Sequence, residues 1–215
     1  LLQNSVTGKA IGLSYFSERG FTPATIKKFG LGFGGTSYDG LAKAAQAKGH
    51  KLDYLTELGL CIPREQVSNS YSDRFRERVI FPIHSNSGRV LGFGGRILDS
   101  QKKVAKYVNS PESAIYHKSN VLYGIYYAKS AMAKANNCYL VEGYTDVIQL
   151  HQSGIENVVS SSGTALSDAQ IRMIQRLCDT ITVLFDGDAA GVRASLRSIN
   201  MILKQGMNVR VVSFS

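Results

Sequence analysis

The stretch from Asn137 to Gly191 constrains this chain more than any other. An apolar run, Cys138-Tyr139-Leu140-Val141, ends on Glu142-Gly143, and a helical segment follows from about Thr145 to Gln152, closed by Gly154. A second run, Asn157 to Ser161, leads into Ser161-Ser162-Gly163-Thr164-Ala165. A second helical segment spans roughly Ser167 to Leu177, and a third run, Thr180 to Phe185, ends on Asp186-Gly187-Asp188. Strands alternating with helices of this length predict a parallel sheet. Such sheets bind ligands beyond the carboxyl ends of their strands, and here two of those ends carry acids: Glu142 on one, Asp186 and Asp188 on another. Residues two apart on an extended segment point the same way, so Asp186 and Asp188 can converge, and Gly187 lets the backbone bend toward a ligand. Hard oxygen ligands at this density suit Mg2+ or Mn2+ and not zinc. A single Asp at a strand-to-helix junction is more often a loop residue or a helix N-cap. It is the pairing of Glu-Gly with Asp-Gly-Asp that points to metal.

Charge divides the chain. Residues 1–135 hold 19 Lys and Arg against 9 Asp and Glu, whereas residues 136–215 hold 6 against 7. A basic half joined to an acid-bearing half suits a protein that holds a polyanion against a metal site; a basic surface with no such partner is the plainer alternative. No run approaches the ~20 apolar residues that span a bilayer, and no signal peptide opens the chain. It begins Leu1-Leu2-Gln3 without a Met and is expected to be a fragment. Cys61, Cys138 and Cys178 are isolated and lack metal-ligand spacing, which predicts buried thiols and no zinc site.

Residues 1–60 read as helical. Thr22 caps a helix that opens at Pro23 and stops at Gly30, a second helix runs from about Tyr38 to Lys48, and a third from about Leu52 to Leu58. The glycine-rich Gly30–Gly35 has no preceding strand and is not a phosphate-cradling loop. Residues 61–75 read as a polar connector with a mobile middle at Val67-Ser68-Asn69-Ser70. A hairpin is predicted next: Val79–His84, a turn at Ser85–Gly88, and Val90–Leu98. Its Gly92, Gly94 and Gly95 suggest a bulge or a close ligand. Arg74, Arg76, Arg78, Arg89, Arg96 and Lys106 bracket the hairpin. Arginine forks match phosphate oxygens, and Arg74, Arg76 and Arg78 share one face if extended, a row that can track a nucleic-acid backbone. One or two of the set are expected instead to be surface charges or partners of Asp73 or Glu77. Tyr107 either stacks on a base or packs on the hairpin. Lys102 and Lys103 read as solvated charges. The four histidines, His50, His84, His117 and His151, are scattered, with no catalytic dyad among them.

Val141-Glu142-Gly143-Tyr144-Thr145-Asp146, together with Phe185-Asp186-Gly187-Asp188-Ala189-Ala190-Gly191, resembles a Toprim domain, the metal-binding fold of primases, type IA and II topoisomerases and some nucleases. Upstream, four motifs are similar to the catalytic core of bacterial DnaG-type primases: Arg74–Arg78, Phe81-Pro82-Ile83, Gly88–Arg96 and Lys106-Tyr107-Val108-Asn109-Ser110-Pro111-Glu112. They come in the same order, and the likeness covers nearly the whole chain. It implies an α/β fold: a mixed α+β basic subdomain over residues 1–135, then a Toprim subdomain with a mainly parallel sheet over 136–215, truncated at its C-terminal end. It implies nucleotidyl transfer, the synthesis of RNA primers from NTPs on a single-stranded DNA template, held afterwards as an RNA–DNA hybrid. In that reading Glu142, Asp186 and Asp188 hold Mg2+ or Mn2+, and Asp146, one helical turn beyond Glu142, supports them. Lys106 and Asn109 lie near the incoming nucleotide and template, and Lys118 matches a second lysine of the family. The resemblance also places the protein in the bacterial cytoplasm, a zinc module before residue 1 and a region contacting the replicative helicase after residue 215. The chain departs from the pattern at His84, where many relatives carry a basic residue, and at Phe214-Ser215, before a further acidic cluster. Two other functions compete: another Toprim enzyme, such as a topoisomerase or nuclease, and a nucleic-acid-binding module without catalysis.

Overall fold

A computed structural model describes residues 5–64, 70–99, 101, 103–163, 165–185 and 189–212, with the backbone alone for residues 189–195. The chain divides into two compact units, residues 1–82 with 91–116, and residues 83–90 with 117–215.

The first unit opens on a π-helical turn, Gly8–Leu13, that continues as α1 (Ser14–Glu18). Thr22 Oγ1 accepts from the Thr25 N–H at 3.2 Å and Pro23 takes the first position of α2 (Pro23–Lys28), as the sequence predicts. Gly30, at φ +64°, ends it. The glycine-rich stretch after it is not part of a helical region. It forms β1 (Gly32–Phe33), which pairs antiparallel with Ile80 and Val79. Gly34 passes so close to the Phe75 carbonyl that a Cβ there would lie 1.9 Å from its oxygen, a contact only glycine allows. Helices α3 (Gly40–Ala47) and α4 (Leu52–Glu57) bury Ala42, Ala45 and Leu55 against Cys61.

The expected polar connector is a strand pair instead: β2 (Cys61–Pro63) and β3 (Tyr71–Asp73) run antiparallel. Tertiary pairing with α3 explains the difference, because the Asp73 carboxylate accepts the Leu41 and Ala42 N–H groups at 2.6 and 3.2 Å and so caps that helix from a distance. The connector's middle, Val67-Ser68-Asn69, lies outside the described residues. The predicted hairpin forms as β4 (Arg78–His84) and β5 (Val90–Ile97), and β6 (Tyr107–Asn109) extends it, giving the sheet order β1-β4-β5-β6.

The second unit starts at a 3-10 turn, Lys118–Asn120, and α5 (Ile125–Ala135). The alternation predicted from sequence follows as β7 (Asn137–Val141), α6 (Tyr144–Gln152), β8 (Val158–Ser160), α7 (Asp168–Gln175) and β9 (Thr180–Leu184), and α8 (Ala189–Lys204) and β10 (Asn208–Val212) continue it. All three strand pairings are parallel, in the order β10-β9-β7-β8. Leu140, Ile171, Ile174, Ile181, Val183 and Ile202 form its core, all fully buried. Among the described residues no helix is long and apolar enough to cross a membrane.

Candidate functional site

The strand order places the acids. After β7 the chain moves to β8 on one side, then returns across to β9 and β10 on the other. The C-terminal ends of β7 and β9 therefore flank the point where the order reverses, the position at which open parallel sheets take ligands. Their register pairs Leu140 with Val183, which brings Glu142 level with Phe185 on strands spaced about 4.8 Å apart. Glu142 is half-buried there. Asp186 and Asp188, next along from Phe185 in sequence, lie outside the described residues, as does Thr164.

Two side chains hold the Glu142 segment. Ser160, fully buried at the end of β8, donates its hydroxyl to the Glu142 carbonyl at 2.7 Å and accepts from the Ser162 N–H at 2.8 Å. Asp146 Oδ2 accepts from the Gly143 N–H at 2.9 Å and Oδ1 from the Thr145 hydroxyl at 3.4 Å. Asp146 thus braces the turn that follows Glu142, and its negative charge in the first turn of α6 suits the helix N-terminus. The donor chemistry fits a hard divalent cation: a half-buried carboxylate at the switch point, with the thiols of Cys61, Cys138 and Cys178 all buried. Among the described residues no three His, Cys, Asp or Glu cluster closely enough to hold a metal.

The basic residues separate into three kinds. Arg78 is buried, and its Nη1 donates to the Gly95 and Lys106 carbonyls at 3.3 and 3.2 Å. It ties β4 to β5 and to the start of β6, and burial pulls its pKa below the usual arginine value. Arg74 is half-buried and donates Nε to the Gly59 carbonyl at 2.6 Å. The expected extended row does not form, because residues 74–77 turn between β3 and β4, with Glu77 at φ +58°. The turn directs Arg74, Arg76 and Arg78 differently. Arg76 stands 5.0 Å over the Tyr38 ring, as Arg64 does, and pairs with Glu77 at 3.9 Å. Asp73, expected as an alternative arginine partner, caps α3 instead. A cleft of about 300 Å3 runs past Tyr38, Arg74 and Arg76.

Arg96 is placed for stacking. It lies 5.3 Å from the Tyr15 ring centroid and 5.6 Å from that of Tyr107, and its Nη1 donates to the two hydroxyls at 2.8 and 3.4 Å. Burial pushes the Tyr15 hydroxyl above its ordinary pKa against the opposing pull of Arg96 and Arg19. Tyr107 keeps 38% of its surface exposed, so one face of this cation–aromatic set is open. Lys106 and Arg89 are exposed, and Asn109 and Lys118 are half-buried. Two glycines of β5 make room for packing: a Cβ on Gly95 would come within 2.6 Å of the Phe75 ring, and one on Gly92 within 3.0 Å of Ser110.

Residues 2–129 match the family described as DNA primase catalytic core, N-terminal domain, and residues 139–215 match the family described as Toprim-like. This chain belongs to the DNA primase catalytic core family. The primase match over the first part decides against the topoisomerase and nuclease alternatives. A DNA primase of Halalkalibacterium halodurans is 43% identical over 204 residues, 95% of this chain and 33% of that protein. The Aquifex aeolicus primase, solved with its zinc-binding and RNA polymerase domains, superposes with a TM-score of 0.90 at 33% identity, covering 99% of this chain and 51% of that one. A DnaG primase catalytic domain solved bound to single-stranded DNA gives a TM-score of 0.87 at 35% identity, covering 100% and 68%. The chain spans about a third of the length of the curated primases it matches.

In each unit, several of the residues just described escape sequence reading. Nothing in the sequence pairs Tyr15 with Arg96 or Tyr38 with Arg76, and only folding sets them against each other. Ser160 is one of three consecutive serines and only strand pairing singles it out. A Ser-x-x-Gln signature at Ser167–Gln170 was open to reading as a helix cap, but not its further partners.

Proposed function

We propose that this chain is the nucleotidyl-transfer core of an enzyme that makes RNA primers on single-stranded DNA. The observation that most supports it is the adjacency of β7 and β9 at the switch point, with Glu142 at the end of one and the Asp186-Gly187-Asp188 sequence following the other. In this reading the 3′-hydroxyl of a primer or initiating nucleotide attacks the α-phosphate of an NTP. The new O–P bond forms as the bond to pyrophosphate breaks. Mg2+ or Mn2+, when bound, neutralises charge on the reacting phosphoryl group and the leaving group.

Glu142, with Asp186 and Asp188, supplies the carboxylates for that cation, and Asp146 and Ser160 hold the Glu142 backbone still. Lys106 and Lys118 place compact positive charge for the triphosphate. Arg76, Arg89 and Arg96 neutralise template phosphates, Arg74 lines the cleft beside Arg76, and Tyr107 and Asn109 meet bases. Arg78 acts through the strands it joins. We divide the work at residue 135: the basic part before it guides the template and the RNA–DNA hybrid, and the Toprim part after it carries the metal. A replicative helicase as partner and the bacterial cytoplasm as location follow from the same reading. The test is to incubate the complete protein that carries this chain with single-stranded DNA, labelled NTPs and Mg2+. Labelled oligoribonucleotides are expected, and DNA binding without any such product would favour the non-catalytic binding module.

A further inference from the structure

Gln170, near the start of α7, is polar and has no exposed surface. Each polar atom of its side chain is engaged. Oε1 accepts from the Ser167 N–H at 2.9 Å, and Nε2 donates to the Val121 carbonyl at 2.7 Å and to the Lys118 carbonyl at 3.2 Å. The Ser167 hydroxyl accepts from the Gln170 N–H at 3.1 Å and donates to the Ser119 carbonyl at 2.5 Å. Capping α7 needs only the Ser167 oxygen and Gln170 Oε1, and a glutamate would serve as well. The donated bonds do something else. They hold three carbonyls of one short segment, those of Lys118, Ser119 and Val121, and at position 170 an amide can cap and donate at once where a carboxylate can only accept.

The clasped segment leads directly to the acid site. Leu122 is fully buried, and Tyr123 exchanges two backbone hydrogen bonds with Ser160, at 2.9 and 3.1 Å. Ser160 in turn holds the Glu142 carbonyl. Lys118 and Glu142 thus hang from one continuous hydrogen-bonded frame inside the second unit. We infer that Gln170, together with Ser167, is a positioning residue that fixes the backbone of Lys118 so that its ammonium meets the phosphates of the incoming nucleotide. This rests on the role given to Lys118 above. A lysine stem is long and flexible, so where its charge can reach is set by how firmly its backbone is held.

The test compares variants of the complete protein. Gln170→Met keeps the length and loses both donated bonds together with the bond accepted from the Ser167 N–H. It should raise the NTP concentration for half-maximal primer synthesis about fivefold while turnover at saturating NTP stays within about twofold, the pattern of lost ground-state binding. Amide hydrogen exchange across residues 118–123 should quicken. Lys118→Ala should raise the NTP requirement too, and adding Gln170→Met to it should change little, because the second variant acts through the first. Effects that multiply in the double variant, or a fall in turnover with NTP dependence intact, would show that Gln170 supports the fold and not Lys118. An unchanged NTP dependence in Gln170→Met, with Lys118→Ala shifted, would overturn the clasp and leave the lysine's role standing. No shift in Lys118→Ala would overturn both. If Gln170→Met does not fold, Ser167→Ala removes only the Ser119 bond and the cap and carries the same comparison.

Discussion

Replacing Ser160 by alanine tests whether the Glu142 strand end depends on a single hydroxyl. Ser160 is fully buried, and its Oγ serves two backbone groups at once: the Glu142 carbonyl at 2.7 Å and the Ser162 N–H at 2.8 Å. Alanine removes little volume but strands an acceptor and a donor. Leaving buried polar groups without partners costs about 1–3 kcal/mol. Both residues are half-buried, so water offsets part of the loss and about 2 kcal/mol is the expected figure. For a chain of this size that lowers Tm by about 4–8 °C. The functional effect is separate. Glu142 sits one residue beyond β7, and freeing its carbonyl lets the carboxylate drift. Displacements near 1 Å can cost about a hundredfold in rate, so turnover in primer synthesis should fall by about tenfold to a hundredfold. The assays are thermal melting by circular dichroism and initial rates at saturating NTP. A melting curve superimposable on the parent's, with unchanged turnover, would refute the argument. A shift in NTP dependence at constant turnover would mean that Ser160 does not act through Glu142.

Glu142→Gln should lower turnover by more than about tenfold even at saturating NTP, whereas Lys106→Ala should mainly raise the NTP requirement. Initial rates against NTP concentration separate the two, and full turnover in Glu142→Gln would sink the metal reading. Arg78→Met should lower stability by about 1–3 kcal/mol, because the Gly95 and Lys106 carbonyls lose their donor; the salt dependence of DNA binding should not change. Arg96→Ala should do the reverse, weakening single-stranded DNA binding and reducing the slope of log affinity against log salt by about one, and equal slopes in all three proteins would show that Arg96 is structural. Burial against Tyr126 and Tyr127 lowers the His84 pKa from its ordinary 6.5. The unfolded chain then binds a proton that the folded chain refuses, so stability should decline as pH falls below about 6.5. His84→Gln should flatten that part of a Tm–pH curve, and an identical slope in the variant would remove His84 as its cause.

What could be read from the residues alone was whatever is encoded locally. The alternation of apolar runs with helical segments from Asn137 onward predicted the parallel unit, and Thr22-Pro23 marked the start of α2, because caps and side-chain periodicity act within a few residues. The primase-like motifs were legible for the same reason: they are contiguous. Contacts between distant segments were not. That β7 lies beside β9, with β8 on its far side, follows from strand pairing across more than 40 residues, and it alone brings Glu142 level with Phe185. The chain shows Arg78 and Arg96 as similar cations near a hairpin. One is buried on two carbonyls and the other stands between two tyrosines, because the glycine at residue 95 leaves room beside Arg78 while the ring of Tyr15 reaches Arg96 from a helix 81 positions away. Ser160 and Gln170 acquire their importance in the same way. A hydroxyl or an amide becomes structurally decisive only when folding has taken it out of water and left other buried groups dependent on its hydrogen bonds.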